Sequence, residues 1–495
     1  MRIFKLYGAN EILSSLMLKK SPDMSLPCGG RGICGGCHVE ASGDLSRMSA
    51  LERRLLEKKG LDPERFRLAC QCEAMGEVIV KLPETQAFAL ADLPAALPEH
   101  DGSKDAPLGF AIDIGTTTIA LALMDMPSQV ALSVKSALNP QGVFGADVLS
   151  RISYSNENGP HELKALIRDK LGELMSSALK EANASEKLVS RICATGNTTM
   201  LYYLMGLDPR EIGQAPFEAK RLFGETLEAG SVFPQLKNSE LYIPDCISAY
   251  VGADITCGIA YLEHLYPGEP KLLADAGTNG EMALMGGDRI WCCATAAGPA
   301  FEGTHISQGM IAADGAIYGV KAKDGEIEVK TIGSLPPIGI CGTGLISAAR
   351  LALETGALEE SGYMEEESFS LGNSGIAISS QDIRQLQMAK SAIASGIEIL
   401  LEESKLSAPA LYLAGGFGHS LDPKDAAFIG LIPESLAGVS HAAGNTALHG
   451  ALLALVSEKS RIKFREAAKK ACVVQLSNNP KFTELYMERM AFSAF

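Results

Sequence analysis

Two stretches of the 495-residue chain carry one pattern. In the first, Phe110-Ala-Ile-Asp-Ile-Gly-Thr-Thr-Thr-Ile-Ala-Leu-Ala-Leu123, an apolar run reaches Asp113, bends at Gly115-Thr116-Thr117 and resumes as a second apolar run. In the second, Leu272-Leu-Ala-Asp-Ala-Gly-Thr-Asn-Gly-Glu-Met-Ala-Leu284, the same order returns around Asp275, Gly277 and Thr278. Both read as β-hairpins with Asp-x-Gly-Thr at the bend. From residue 108 onward, short β-rich runs alternate with helical patterns. The repeat therefore predicts an α/β architecture of two related lobes, at 108–265 and 266–495.

The composition of the bends points to phosphate. Glycine lets backbone N–H groups approach an anion, a threonine hydroxyl can donate to it, and Asp suits Mg²⁺, a hard ion held largely through its waters. The candidate binding groups are Gly115, Thr116, Thr117 and Thr118 in one bend and Gly277, Thr278 and Asn279 in the other. Asp113 and Asp275 would hold Mg²⁺ or orient water. Two such bends facing each other suit the β- and γ-phosphates of ATP. A third element, the strand-like Ala410-Leu-Tyr-Leu-Ala414 running into Gly415, Gly416, Phe417 and Gly418, suits a purine and ribose. There is no Walker A sequence and no G-x-G-x-x-G after a strand, which disfavours P-loop and Rossmann folds.

Other motifs leave two readings open. Gly342 and Gly344, in a glycine turn before a helix, serve either phosphate contact or tight packing. Ala297-Gly-Pro-Ala-Phe-Glu-Gly-Thr-His305 offers Glu302 as an acid and His305 as a base, or simply starts a helix. Thr195-Gly-Asn-Thr-Thr199 reads first as a helix cap, and Asp147 with Arg151, at i and i+4, as a surface ion pair.

Ahead of the lobes, Cys28-Gly-Gly-Arg-Gly-Ile-Cys-Gly-Gly-Cys37 places three thiols in one glycine-rich loop, and Arg67-Leu-Ala-Cys-Gln-Cys72 adds two. A loop of thiolates plus one distant thiolate is what a [2Fe–2S] cluster requires; the first gap is one residue longer than in plant-type ferredoxins. Zinc sites usually come as two C-x2-C pairs or as Cys/His pairs. Here only Cys34 and Cys37 form such a pair. The candidate ligands are Cys28, Cys34, Cys37 and either Cys70 or Cys72.

Composition narrows the setting. A net charge of −15 disfavours nucleic acid, which needs a basic face. Seven of the twelve cysteines are scattered beyond residue 72 and suggest no secreted disulfide framework. The start lacks a signal-peptide core, and no run of ~18 apolar residues suggests a membrane helix. These features predict a reducing cytoplasm. Residues 1–84 read as a small α+β domain, with a capping box at Ser49–Glu52, and 85–107, rich in Ala, Pro, Asp and Glu, as a linker.

The strand and helix order of residues 1–84 resembles the [2Fe–2S] ferredoxin fold. In that family the fourth ligand lies in an R-L-A-C-Q segment, which implies Cys70 and leaves Cys72 in reserve. The two Asp-x-Gly-Thr bends followed by Gly-Gly-Phe-Gly resemble the actin-like ATPase superfamily of sugar kinases, Hsp70 and actin. The combination resembles the reductive activators of corrinoid proteins over nearly the whole chain. It does so through CGGRGICGGC, RLACQ, DIGTTT, NPQGVFGADVLSRI, TGNTTM, DAGTNGE, AGPAFEG, GICGTG and AGGFG. Longer relatives carry an extra domain before the ATPase, whereas here the linker runs directly to Phe110. Others carry C-terminal [4Fe–4S] motifs, whereas here only Cys472 follows Cys341.

The resemblance implies ATP-dependent return of inactive Co(II) to Co(I) on a corrinoid protein of a methyltransferase system. The electron would come from the chain's own cluster, refilled by an upstream donor. The transfer is uphill, and each ~59 mV is a factor of ten in a one-electron equilibrium. Dimers occur among similar proteins, so a homodimer is a further expectation. The alternative is a small-molecule kinase with a fused redox-sensing ferredoxin domain.

Overall fold

The computed structural model describes residues 2–20, 26, 30, 32, 35–59, 61–82, 108–406, 409–415 and 421–495; the expected linker at 85–107 lies outside the described residues. The N-terminal part contains strands β1 (Arg2–Tyr7), β2 (Glu11–Ile12), β3 (His38–Leu45), β4 (Phe66–Leu68) and β5 (Glu73–Leu82), with helices α1 (Leu13–Leu18) and α2 (Ala50–Lys58). The sheet runs β1-β5-β3-β4 with β2 on β5, and every pair is antiparallel.

Helix α2 starts where the Ser49 hydroxyl accepts the Glu52 N–H at 3.0 Å. The expected capping box is only half made, because the Glu52 side chain turns inward. Its carboxylate accepts Arg67 Nε at 2.9 Å, Arg67 Nη2 at 3.1 Å and the Leu68 N–H at 2.8 Å. This buried fork fixes the chain just before Cys70. The apolar core contains Leu13, Met17, Leu56, Leu68, Val78 and Val80, and it takes in Val143 from far along the chain. Residues 1–84 therefore do not close their core alone.

The first lobe sheet is built from β6 (Leu108–Ile114), β7 (Thr118–Asp125), β8 (Val130–Leu138), β9 (Val189–Gly196), β10 (Phe223–Glu228) and β11 (Glu240–Asp245), in the order β10-β11-β9-β6-β7-β8. The second lobe begins with β12 (Lys271–Ala276), β13 (Gly280–Gly286) and β14 (Arg289–Thr295). A small sheet follows from β15 (Ala316–Lys323), β16 (Glu326–Thr331) and β17 (Gly339–Ile340), then the pair β18 (Ser368–Ser370) and β19 (Ala377–Ser379). Strands β20 (Ala410–Ala414), β21 (Ser440–Gly444) and β22 (Ala471–Val473) complete the main sheet as β21-β20-β12-β13-β14-β22.

The two main sheets share more than the hairpin. In each, the first strand has two antiparallel successors on one side, β6-β7-β8 and β12-β13-β14. On the other side it has two parallel neighbours, β9-β11 and β20-β21. β6 and β12 are buried on both faces, which explains why they read as near-continuous apolar runs rather than alternating ones.

The lobes carry helices α3 (Val148–Asn158), α4 (His161–Glu181), α5 (Thr198–Met205), α6 (Ala253–Leu265), α7 (Gly342–Glu354), α8 (Ser380–Ser404), α9 (Pro423–Phe428), α10 (Glu434–Ala437), α11 (Thr446–Val456), α12 (Glu458–Lys470) and α13 (Pro480–Glu488). One core joins Ala111 and Cys193 of the first sheet, Leu273 and Ala283 of the second, Cys257 and Leu262 of α6, and Leu448 and Leu452 of α11. Helix α11 belongs to the second lobe in sequence yet packs on β6 and β9 of the first, which brings the two strand-end bends toward one cleft. No helix among the described residues is long and apolar enough to cross a membrane.

Candidate functional site

The first bend is braced from behind. The Asn139 side chain donates to Gly115 O at 2.8 Å, Arg151 Nη2 donates to Thr116 O at 2.6 Å, and Asn139 N–H donates to Thr117 O at 2.7 Å. Three successive carbonyls are thus held on the side away from the cleft. Gly115 N–H closes the bend on Thr118 O at 3.0 Å, and a Cβ on Gly115 would lie 2.6 Å from that oxygen. Asn197, the cap of α5, donates to the Thr116 hydroxyl at 3.0 Å. Asn445, the cap of α11, donates to Asp113 Oδ2 at 2.8 Å.

The second bend closes with Gly277 N–H on Asn279 O at 2.9 Å. Its Thr278 hydroxyl donates to Glu302, on the short turn Pro299–Glu302, and lies 3.2 Å from the Thr117 hydroxyl. The two bends predicted from the repeat therefore meet, hydroxyl to hydroxyl, across the cleft between the lobes. The space between them is about 160 Å³ and is lined by Asp113, Asp254, Asp275, Glu281 and Glu302 as well as by the bends and Gly415. A site for a drug-sized ligand is usually about 300–1,000 Å³, so with the hydroxyls in contact this space suits a phosphate end rather than a whole nucleotide.

The cleft wall is rich in carboxylates. Burial pushes Asp113 up to about 7 against the Asn445 hydrogen bond, with Asp275 adding repulsion. Burial with Asp113 alongside takes Asp254 to about 7, and burial with Asp254 and Glu302 alongside does the same for Asp275. Burial, then Asp254 and Asp275, raises Glu281 well above its ordinary value. Glu302 is also raised by burial, opposed by the Thr278 and Thr117 hydroxyls and by Arg151. Such crowding favours a hard cation, for which carboxylate oxygens are the ordinary donors. Among the described residues no three of these side chains stand close enough to ligate one ion directly.

Several expectations need correction. Arg151 is 1% exposed and makes no surface pair with Asp147, which instead caps α3. The residue lies on the buried stripe Val148, Arg151, Ile152, Ser155, a helical i, i+3, i+4, i+7 spacing that could have revealed it. Gly342 and Gly344 do not line the cleft. A Cβ on Gly342 would lie 2.2 Å from Phe301 O, and one on Gly344 would lie 2.1 Å from Ile317 O, so both glycines serve close packing of α7. His305 is exposed and stands outside the cleft lining. Gly416, Phe417 and Gly418 lie outside the described residues. Asn139, Asp254, Glu281 and Asn445 are absent from the sequence-based candidates, and Asn197 enters there only within the Thr195–Thr199 cap. A partial signal exists in Gly196-Asn197-Thr198, which recurs as Gly444-Asn445-Thr446.

In the N-terminal part, Cys37 and Cys70 bring their sulfurs to 3.1 Å. The Cys37 contact draws the Cys70 thiol down to about 7 against burial, aided by the Gly32 backbone N–H. Cys72 is fully buried, its thiol raised to about 11 by burial, and it points to Glu73 O. The geometry thus favours Cys70 over Cys72 as a partner for Cys37. Gln71 fastens the loop by donating to Gly32 O at 2.7 Å. Cys28 and Cys34 lie outside the described residues. A buried thiol and a half-buried one that converge, the latter with its pKa lowered, fit thiolate ligation of iron.

Comparison with known proteins covers all of these regions. Residues 108–264 match the family model described as the RACo middle region, and residues 269–494 match the one described as the C-terminal domain of RACo, the ASKHA domain. The chain is 31% identical over 428 residues to the corrinoid activation enzyme RamQ of Eubacterium limosum, covering 79% of this chain and 71% of that protein. It is 33% identical over 79 residues to 2Fe-2S ferredoxin-5 of Aquifex aeolicus (strain VF5), covering 15% of this chain and 82% of the ferredoxin. A solved structure of a reductive activator for corrinoid, iron-sulfur protein superposes with a TM-score of 0.73 at 28% identity, covering 98% of this chain and 96% of that one.

Proposed function

The chain belongs to the family of corrinoid activation enzymes, and from that premise we propose that it is an ATP-dependent reductive activator returning Co(II) to Co(I) on a corrinoid protein of a methyltransferase system. The observation that carries the ATP part is the meeting of Thr117 and Thr278 across one cleft, with Asp113 and Asp275 behind them. On this reading 1–84 is the electron-transfer domain, 85–107 its linker, and 108–265 and 266–495 the two ATPase lobes.

The residues divide the work. Gly115, Thr116, Thr117, Thr118, Gly277, Thr278 and Asn279 bind the phosphates of ATP, and Gly415 with Gly416, Phe417 and Gly418 takes the adenosine. Asp113 and Asp275 hold Mg²⁺, mostly through water. Glu302 accepts the Thr278 hydroxyl. A γ-phosphate entering between the bends competes for that hydroxyl and separates Thr117 from Thr278, so occupied and empty clefts differ in lobe spacing. ATP can drive the transfer only through such a difference between states of the complex.

Cys37 and Cys70, with Cys28 and Cys34, hold a [2Fe–2S] cluster, which when bound supplies the one-electron couple for Co(II). An upstream donor restores that electron, and the protein works in the cytoplasm, as a homodimer if it follows similar proteins. The relatives named above favour activation over the kinase alternative.

The test is anaerobic visible spectroscopy of a Co(II) corrinoid protein mixed with this protein and a reductant. Co(I) is expected to accumulate only with Mg-ATP. Asp275→Ala should abolish the ATP dependence while leaving the iron–sulfur absorption unchanged. Undiminished ATP-dependent Co(I) formation by Asp275→Ala would remove that residue from the mechanism. Transfer of phosphate to a small molecule, without Co(I), would restore the kinase reading.

A further inference from the structure

Residues 139–151, from the end of β8 into the first turn of α3, touch both ends of the molecule's chemistry. At the two ends of this stretch Asn139 and Arg151 hold the three carbonyls of Gly115, Thr116 and Thr117. Between them the chain forms a short turn, Pro140–Phe144. Val143 of that turn, 6% exposed, is part of the core of the cysteine-bearing domain. Phe144 packs against that core and against the core of the first lobe, and it stacks on Tyr154 of α3 with ring centroids 4.1 Å apart. Arg151 binds the turn to the bend directly. Its Nε donates to Gly145 O at 2.9 Å, its Nη1 to Gln141 at 3.4 Å, and its Nη2 to Thr116 O.

We propose that residues 139–151 are the element through which occupancy of the cleft controls the seating of the cysteine-bearing domain, with Asn139 and Arg151 as its positioning residues. This rests on the reading of the cleft as a nucleotide site. A single buried guanidinium grips the bend and both ends of the turn. A phosphate that shifts Gly115–Thr117 must therefore shift Val143 and Phe144 with them or break buried hydrogen bonds. Close-packed cores do not absorb such shifts smoothly, so the seat moves between discrete positions. Coupling between sites is reciprocal: if the nucleotide biases the seat, seating biases nucleotide affinity by the same factor, so disturbing the seat must change that affinity. Val143 does not line the cleft, so a merely local packing role would leave that affinity alone.

The experiment uses the full, cluster-loaded chain under anaerobic conditions, with Mg²⁺ and a non-hydrolysable ATP analogue. Hydrogen–deuterium exchange should show the analogue altering protection of residues 139–151 and of the N-terminal sheet. Val143→Asp, which places a charge in the N-terminal core, should speed exchange in that sheet and change the analogue's dissociation constant by ~5-fold or more, the lower range of measured coupling. Val143→Ile should restore both. If Val143→Asp does not fold, Phe144→Ala removes the bridging ring and carries the same expectation. Analogue binding with unchanged exchange at 139–151, or with unchanged affinity in a variant whose N-terminal sheet exchanges faster, overturns the coupling alone. No binding of the analogue to the native chain overturns the nucleotide reading and the coupling together.

Discussion

Around Gly115-Thr116-Thr117, Asn139 and Arg151 hold three carbonyls, Asn197 holds a hydroxyl, and Asn445 holds the neighbouring Asp113. Around Gly277-Thr278-Asn279 the supports are fewer: Thr278 leans on Glu302, Asn279 donates to Glu281 at 3.3 Å, and no side chain among the described residues hydrogen-bonds Asp275. Gly115 sits 2.6 Å from an oxygen that a Cβ would strike, whereas Gly277 has only Glu302 at 3.8 Å and Asn279 O at 3.9 Å. The bends share sequence, strand pairing and sheet position but not support. The shared part follows from what a tight bend at a strand end demands. The unshared part makes the first bend a fixed jaw and the second a freer one.

The largest effect that separates the jaws is one of pH. Without nucleotide or divalent cation, Asp113 and Asp275 keep their protons to about 7 in the folded chain but release them near their ordinary value of 3.8 when unfolded. Their contribution is complete below about pH 4 and is lost as pH rises through about 7, at about 1.4 kcal/mol per pH unit for each carboxyl. Chemical denaturation from pH 5 to 8 should show this decline. Asp275→Asn should flatten it at least as much as Asp113→Asn, because Asn445 offsets part of the cost only at Asp113. Flattening by Asp113→Asn alone would mean the second bend is as well supported as the first.

Arg151→Met comes next. Each buried carbonyl it orphans costs about 1–3 kcal/mol, so losing the Gly145 and Thr116 bonds should lower unfolding free energy by about 2–6 kcal/mol. Glu302→Gln, at the freer bend, keeps an acceptor for Thr278 and should change stability by less than ~1 kcal/mol. Equal losses would erase the distinction.

Exchanging the glycines sharpens the comparison further. Gly115→Ala should destabilise by about 1–3 kcal/mol through overpacking. Gly277→Ala should be neutral, or stabilise by about 0.4–1 kcal/mol by restricting the unfolded chain. Thermal melts of the two variants side by side decide it.

The smallest effect is at Asn445. Its replacement by Ala removes one hydrogen bond to Asp113 and should cost ~1 kcal/mol. It should also move the Asp113 midpoint further up while leaving Asp275 where it is, which carboxyl-resolved NMR titration would show.

The bends are legible in the sequence because their requirements are local: Gly where backbone closes on backbone, Thr where a hydroxyl faces the cleft. The supports are not, because each has a local role that hides a distant one. Asn139, Asn197 and Asn445 all cap turns or helices, and the cap accounts for the residue type before the long contact is considered. Asn445 meets Asp113 across the whole ATPase region, a pairing set by where α11 packs. Gly342 and Gly344 mislead for the opposite reason: phosphate contact and tight helix packing select the same residue, and only the nearby Phe301 and Ile317 carbonyls tell them apart. At the cysteine loop, spacing leaves Cys70 and Cys72 equivalent, while the Glu52–Arg67 fork beneath the segment orients them differently.

The presence of Val143 in the N-terminal core bears on how such a protein can be inherited. Joined proteins are often pictured as cassettes shuffled at their connecting string. Here a donor cassette ending before residue 85 would arrive with a socket shaped for a side chain it does not encode. Exchange of the two parts would be tolerated only between parents whose side chains at position 143 fit the same socket, so that socket and position 143 should change in concert.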